Sequence, residues 1–398
     1  MDLENLNKDR DVVVIAGLDS LDGIEEMQSD GFERIILVIP PAYKRYSEPF
    51  AKVPVCTSRD ELLEVLASYE RPVPVKAAFG NSGQSGYSAE ELDGINDTIT
   101  KTLQRIASNE GTYRHFNEVW QRNAGENLGH IQALQKSILD EKSQWQGKPI
   151  VVVGAGPSLD HCVTELKQIR DKVCVAAAGH SLLALDKAGI VPDYCMVLDA
   201  QDARWHFTNF STSEYLGQIT GLLGVTVDPS CFKFPFKDII PFNGNDQVVD
   251  WVNGHLDSPL HSLLAGGSVL TSLAALGIDW ECSKVCLIGA DLSFPNGKVY
   301  ADITCDGGTR IQLNDERDKF KYANGSKDLM ELFKDEQKPL TFAPGIFGGM
   351  LPSCHQFEIY RTYLDWLATS NPGSLYQCSN QGAYIEGATH CSLKEAIQ

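Results

Sequence analysis

The chain has 398 residues, 43% of them hydrophobic, and a formal net charge of -19. That length is enough for two cores rather than one. So acidic a surface repels nucleic acid and anionic bilayers, so neither is expected as a partner, while a small anionic substrate that sees only its pocket stays admissible. Along the chain, Asp11-Val12-Val13-Val14-Ile15 reads as a buried strand. It is followed by a helix near Leu21 to Gln28 that stops at Gly31, and by a strand Arg34 to Ile39 that ends at Pro40-Pro41. Ser58-Arg59-Asp60-Glu61 has the form of a capping box that opens a helix through Leu62, Leu63, Val65 and Leu66, and Val73 to Ala78 reads as a further strand. Alternating strands and helices imply a small parallel sheet over residues 1–85. Its first loop, Ala16-Gly17-Leu18-Asp19, fits a scaffold or recognition module better than a second active site. Asn81-Ser82-Gly83-Gln84-Ser85-Gly86 is polar and flexible in composition and marks the first boundary. Residues 86–147 follow as a helical connector, with Leu128, Ile131, Leu134 and Ile138 as its apolar stripe and Trp120 as an anchor.

The third segment, 148–398, opens with Pro149-Ile150-Val151-Val152-Val153-Gly154-Ala155-Gly156-Pro157-Ser158-Leu159-Asp160. A β-branched run breaks into glycines and then into Leu159, Cys162, Val163, Leu166 and Ile169, which share one helical face, so the reading is strand, tight loop, helix. Gly154 and Gly156 allow close approach of a ligand to the backbone, and Ser158 stands at the N-cap position. Such a helix start suits a phosphate, although a plain turn of an open sheet has the same form. The loop lacks the Gly-x-x-x-x-Gly-Lys-Ser/Thr of an ATP-cradling loop, and Leu159 stands where a dinucleotide fingerprint has its third glycine. Val175-Ala176-Ala177-Ala178 offers no carboxylate to a ribose, so hydride transfer is not expected.

Further strands end in Gly179-His180-Ser181, in Asp199-Ala200-Gln201, near Asp228, and in Gly289-Ala290-Asp291, and Gly266-Gly267-Ser268-Val269 opens another helix. Small and polar residues thus collect at the carboxyl ends of the strands, where open parallel sheets bind ligands. The two glycine-bearing helix starts, at Gly156 and at Gly267-Ser268, are expected to converge on the phosphate of one nucleotide. Asp199 is a ligand for ribose hydroxyls or a metal, or else a turn cap. Asp291 is a candidate catalytic carboxylate, or else an N-cap. His180 is read as a substrate contact, whereas His206, His255, His261 and His390 have no comparable setting. Tyr300 lies where its hydroxyl could reach a phosphate, or packs half-buried. The eleven cysteines contain no Cys-x-x-Cys, and most have apolar neighbours, which reads as reduced core thiols. A start without a basic region and apolar run, and the absence of any stretch of 18 apolar residues, give the expectation of a cytoplasmic protein with no membrane span.

In their order, Gly154-Ala155-Gly156-Pro157-Ser158-Leu159, Gly189-Ile190-Val191-Pro192-Asp193 with Asp199 after it, Gly266-Gly267-Ser268-Val269 and Ile288-Gly289-Ala290-Asp291-Leu292 resemble the motility-associated-factor (Maf) flagellin glycosyltransferases. Their central domain is similar to an archaeal pterin pyrophosphokinase and to bacterial sialyltransferases that use a cytidine-monophosphate (CMP) sugar. Arg122-Asn123-Ala124-Gly125-Glu126-Asn127-Leu128 resembles the family's connector helix, and Asn380-Gln381-Gly382-Ala383-Tyr384-Ile385-Glu386-Gly387 its closing motif. The likeness covers about residues 113–390. It implies an α/β fold: a Rossmann-like, mostly parallel sheet flanked by helices, with the smaller N-terminal α/β domain and the connector before it.

The resemblance further implies that Gly154, Ala155, Gly156, Pro157 and Ser158 face the donor phosphate and ribose, that Gly179, His180, Asp199 and Gln201 line the nucleoside, and that Gly266, Gly267 and Ser268 meet the cytosine or phosphate. Tyr300 matches a phosphate-contacting tyrosine, and His355 is the approximate counterpart of a catalytic histidine. The implied reaction moves a sialic, pseudaminic or legionaminic type of sugar from its CMP donor to a serine or threonine of flagellin or another protein acceptor, with no cofactor required. The alternatives are pyrophosphoryl transfer from ATP to a pterin, with Mg held by Asp199 and Asp291, and a nucleotide-binding protein without catalysis.

Overall fold

The computed structural model describes residues 3–17, 21–46, 52–69, 74, 76–81, 85–134, 136–244, 248–263, 266–327, 330 and 336–398. Leu18 and Asp19 of the first loop, Val73 and Val75 of the third predicted strand and Ser82-Gly83-Gln84 of the predicted boundary lie outside them. Two compact units are present, Met1–Phe116 and Asn117–Gln398.

The first unit holds strands β1 (Val12–Ala16), β2 (Ile35–Val38), β3 (Val55–Cys56) and β4 (Ala77–Asn81) in the order β3-β2-β1-β4, all parallel. Val12 to Ala16 and Ile35 to Val38 are buried throughout. Strands covered on both faces read as continuous apolar runs, which is why these two were visible in the sequence. Ser58 caps the helix Arg59–Ser68, its side chain accepting from the Glu61 N–H at 3.1 Å, while the Glu61 carboxylate reaches past the cap to the Thr57 N–H and hydroxyl.

A single helix, Ala89–Leu134, fills most of the predicted connector, and the boundary between the two units falls within it. Its buried face in the second unit is Asn123, Ala124, Asn127 and Ile131, with Leu128 only half-buried.

The second unit is built on β5 (Pro149–Val153), β6 (Cys174–Ala178), β7 (Tyr194–Val197), β8 (Thr220–Gly224), β9 (Asp238–Phe242) and β10 (Lys284–Ile288). Two small antiparallel sheets follow, from β11 (Arg310–Leu313), β12 (Lys319–Ala323) and β13 (Lys338–Pro339), and from β14 (Thr341–Pro344) and β15 (Met350–Ser353). The strands β16 (Leu375–Gln377) and β17 (Thr389–His390) rejoin the main sheet, whose order is β17-β16-β10-β5-β6-β7-β8-β9 with every pair parallel. This is the expected α/β architecture. The chain runs outward from β5 to β9 and then returns to the other side of β5, so the strand order reverses between β10 and β5, where doubly wound sheets open a crevice.

One apolar core packs on each face of the sheet. Val151, Val153, Leu159 and Leu166 belong to one, and Ile150, Val152, Leu273 and Trp280 to the other. The alternation follows from successive side chains of β5 pointing to opposite faces. Asp193 stands just before β7. Its carboxylate accepts the Val175 N–H at 2.8 Å and pairs with Arg170 at 3.0 Å, fixing the entry to β7.

Candidate functional site

At the strand-order reversal, the loop after β5 meets the loop after β10 in direct backbone contact. Gly154 N–H donates to the Ile288 carbonyl and Gly156 N–H to the Gly289 carbonyl, at 2.9 and 2.8 Å. A Cβ on Gly156 would lie 2.3 Å from Asp291 Oδ2, so the glycine is required by this packing. Ser158 does not cap its helix through its side chain. Its N–H donates to both oxygens of Asp291 at 3.2 and 3.0 Å, and its hydroxyl donates to Oδ2 at 2.8 Å.

The positive end of this helix is therefore already occupied by a carboxyl group from the protein's own chain. The expectation that Gly154 to Ser158 form an open phosphate cradle is corrected on this point: the donors that would serve it are engaged by Gly289 and Asp291. Asp291, read as a candidate catalytic carboxylate, is 2% exposed. Burial lifts its pKa to about 7 against the opposing pull of Ser158. Both of its oxygens are engaged by Ser158.

The closed loop has a second task. The Ala155 carbonyl accepts the Ala301 N–H at 3.0 Å. Asp160, in the first turn of the helix Leu159–Ile169, accepts the Asp302 and Ile303 N–H groups at 3.0 and 3.2 Å and the Lys298 ammonium at 3.4 Å. Residues 298–306, which carry Tyr300, Cys305 and Asp306, are fixed in this way.

Tyr300 stacks on His180, which follows β6, with ring centroids 4.2 Å apart and planes 19° off parallel. Trp205 and His206, in the turn Arg204–Phe207 after β7, complete an aromatic wall. The His180 ring lies 4.7 Å from that of His206, and the His206 ring 3.7 Å from that of Trp205. Burial, reinforced by Asp306, Cys305 and Asp199, drives the Tyr300 pKa upward, so its hydroxyl stays protonated and able to donate. Burial and neighbouring His180 push His206 down to about 3, leaving it neutral at physiological pH.

His180 Nε2 is 3.2 Å from Asp306 Oδ2 and 3.9 Å from Cys305 Sγ, and Sγ is 3.6 Å from the same oxygen. Burial works against the charge on Asp306, but hydrogen bonds from His180 and Ser326 hold its pKa below the usual carboxylate value. The Cys305 thiol is pushed up to about 12, by burial first and then by Asp306.

Beside this wall opens a cleft of about 500 Å³, whose lining includes Arg122, Asp199, Gln201, Trp205, His206 and Asp228. Asp199 is reached by solvent yet walled in by protein. The crowding raises its pKa, and His180 opposes the rise. The connector helix shapes this cleft. Asn123 donates to the Ala200 and Thr226 carbonyls at 2.9 and 3.1 Å, and Asn127 to those of Val225 and Val227 at 3.1 and 2.9 Å.

The second glycine-bearing start, Gly266-Gly267-Ser268, has positive φ at both glycines (58° and 81°), and Ser268 caps the helix Val269–Asp279 in a reciprocal box with Thr271. Leu270 of this helix lies 3.2 Å from where a Gly154 Cβ would be, so an apolar side chain stands over the first loop, and a Cβ on Gly267 would lie 3.7 Å from the Tyr360 ring. His355 begins the helix His355–Ser370, is 40% exposed at its side chain and faces Glu358 at 4.0 Å.

Among the predicted residues, the structure thus brings His180, Tyr300 and Asp199 into one neighbourhood with Gln201 on the cleft lining. Gly154 to Ser158 and Asp291 form a supporting knot beneath. The residues the sequence reading missed are Trp205, His206, Cys305, Asp306 and the two asparagines. Only the asparagines carried a signal, as polar residues four apart on an otherwise apolar face.

Residues 122–297 match the family described as 6-hydroxymethylpterin diphosphokinase MptE-like. An uncharacterized protein of Treponema pallidum (strain Nichols) is 25% identical over 128 residues, which is 32% of this chain and 55% of that protein. A solved MAf glycosyltransferase from Magnetospirillum magneticum AMB-1 has a similar fold, with a TM-score of 0.63 at 17% identity over 97% of this chain and 58% of its own. The chain spans little more than half the length of each of these relatives. No helix among the described residues is long and apolar enough to cross a membrane. Residues 122–297 thus resemble the MptE-like family, and the fold of the chain resembles that of the MAf glycosyltransferase.

Proposed function

We propose that this protein is a cytoplasmic glycosyltransferase that moves a nonulosonic acid, of the sialic, pseudaminic or legionaminic kind, from a CMP-activated donor to a serine or threonine of flagellin or another protein acceptor. The observation that carries the proposal is the aromatic wall of Tyr300, His180, His206 and Trp205 beside the accessible carboxylate of Asp199, at the carboxyl ends of β6 and β7. A nucleobase needs a flat apolar face, which Trp205 offers. The departing CMP phosphate gains negative charge, and a tyrosine hydroxyl that stays protonated can donate to it. The acceptor hydroxyl must lose a proton, and Asp199, with its raised pKa and open access, is placed to take it. The backbone donors for the phosphate are then sought around Gly266 and Gly267, because those after β5 are engaged and those of Ser268 and Thr271 are taken by their capping box.

Thermal denaturation of the full chain with CMP, AMP and GMP tests the reading. Stabilisation by CMP at concentrations where the purine nucleotides do nothing is expected, and indifference to CMP overturns it. The match to the MptE-like family favours a second reading, pyrophosphoryl transfer from ATP to a pterin. Stabilisation by ATP with magnesium, absent for CMP, selects that one.

A further inference from the structure

We propose that His180, Cys305 and Asp306 form a binding site for a zinc ion, with one coordination position left for water or a substrate oxygen. Among the described residues, these three offer an imidazole nitrogen, a thiol sulfur and a carboxylate oxygen, all within 4.8 Å of one another. The separations are 3.9 Å from sulfur to nitrogen, 3.6 Å from sulfur to oxygen and 3.2 Å from nitrogen to oxygen. Zinc bond lengths of about 2.3 Å to sulfur and 2.0 Å to nitrogen and oxygen at tetrahedral angles require edges of roughly 3.3–3.6 Å. Two of the three edges fit, and the third closes with a few tenths of an ångström of movement.

The same distances argue against a relay triad. In such a triad the nucleophile and the carboxylate use opposite nitrogens of the histidine. Here both Cys305 Sγ and Asp306 Oδ2 approach Nε2, so three donors face one point instead of lying in a line.

The surroundings hold the donors in place. Asp306 Oδ1 accepts the Ser326 N–H at 3.1 Å, which orients the carboxylate as an outer-shell partner does. Asp306 is 1% exposed, and Tyr300 covers one face of the His180 ring. A mixed nitrogen, sulfur and oxygen set selects zinc, or cobalt in its place, over magnesium, which takes oxygen ligands in octahedral geometry. Thiolate and carboxylate together balance the two positive charges. On binding, Cys305 yields its proton to solvent and ligates as thiolate, and His180 presents the Nε2 lone pair.

The inference stands on these donors and holds whichever ligand the cleft takes. The test uses the full chain, stripped with a chelator and titrated with zinc chloride by calorimetry, with a parallel titration with cobalt(II) followed by absorption. About one ion per chain and a thiolate-to-cobalt charge-transfer band are expected. C305S should abolish the band, and both it and H180Q should weaken zinc by more than about tenfold, since loss even of an outer-shell partner costs about 10- to 100-fold. C391S removes a half-buried thiol outside the cluster and should change neither. Circular dichroism establishes that each variant is folded. If C305S misfolds, H180Q carries the test through zinc affinity. The proposal falls if the stripped protein takes up no zinc at micromolar concentration, if folded C305S keeps the band, or if magnesium at millimolar concentration displaces the ion.

Discussion

The turn after β5 and the turn after β6 each leave a buried parallel strand at a glycine, and they differ in what fills the space above them. Above Gly154 to Ser158 stands the protein's own carboxylate, Asp291, with the backbone of Gly289 pressed against it. Beyond Gly179 stand rings: His180 with Tyr300 on one face and His206 nearby, opening onto a cleft that water enters. The first turn spends its donors on holding residues 298–306; the second leaves polar atoms where a ligand can meet them. A helix start rich in glycine is thus a position of strong potential rather than a site, and the occupant decides which it becomes.

The sharpest way to break this comparison is to remove function from the second region without touching the first. D199N keeps the shape of the side chain and removes its ability to take a proton. Under the glycosyltransferase reading it should lower turnover by about 10²- to 10⁴-fold, with CMP binding and thermal stability little changed. Unaltered turnover in D199N would take the base away from this cleft and return His355 to consideration.

The complementary variant, D291N, tests the first region through pH. The folded pKa of Asp291, about 7, lies above its unfolded value. Its contribution to stability is therefore fully present at pH values below the unfolded pKa and is lost as pH rises through about 7. A shift of that size corresponds to at most about 4 kcal/mol, at about 1.4 kcal/mol per unit. Urea unfolding of the wild type and D291N at pH 5 and pH 8 should show the variant gaining on the wild type at the higher pH. Parallel profiles would mean that the carboxylate is ionised throughout and acts as a fixed anion.

The comparison also explains what could be read from the chain alone. The parallel strands that were legible are buried on both faces and leave an unbroken apolar run, as in Ile150 to Val153 and Val285 to Ile288, whereas the partly buried β3, β9, β16 and β17 went unread. The glycine turn was equally visible, but its occupant was not: Asp291 is 133 residues from Ser158, and nothing local ties them. The histidine cluster was less visible still. His180 looked promising by its place at a strand end, whereas His206 looked ordinary. Cys305 and Asp306 meet His180 across 125 residues, inside a polar loop with no periodicity. Local patterns report burial; they do not report which distant loop arrives to share a pocket.

The smallest effect expected concerns the two asparagines that tie the connector helix to the cleft. Each is fully buried, and each supplies both amide hydrogens to main-chain carbonyls. Truncating either to alanine withdraws two donors from buried acceptors, and the cost of such losses is about 1–3 kcal/mol. The two should not be equal. The Asn127 Oδ1 is buried without a hydrogen-bond partner, so the native side chain already bears a desolvation cost that N127A removes. The Asn123 Oδ1 accepts from Arg122 at 3.1 and 3.3 Å and bears no such cost. N123A should therefore be the more destabilising in urea unfolding. Because Asn123 grips the carbonyl of Ala200, next to Asp199, N123A should also weaken CMP binding, whereas N127A should leave it within about twofold, an effect below about 0.5 kcal/mol. Equal losses of stability with no difference in binding would show that the helix braces the sheet as a whole and has no separate hold on the cleft.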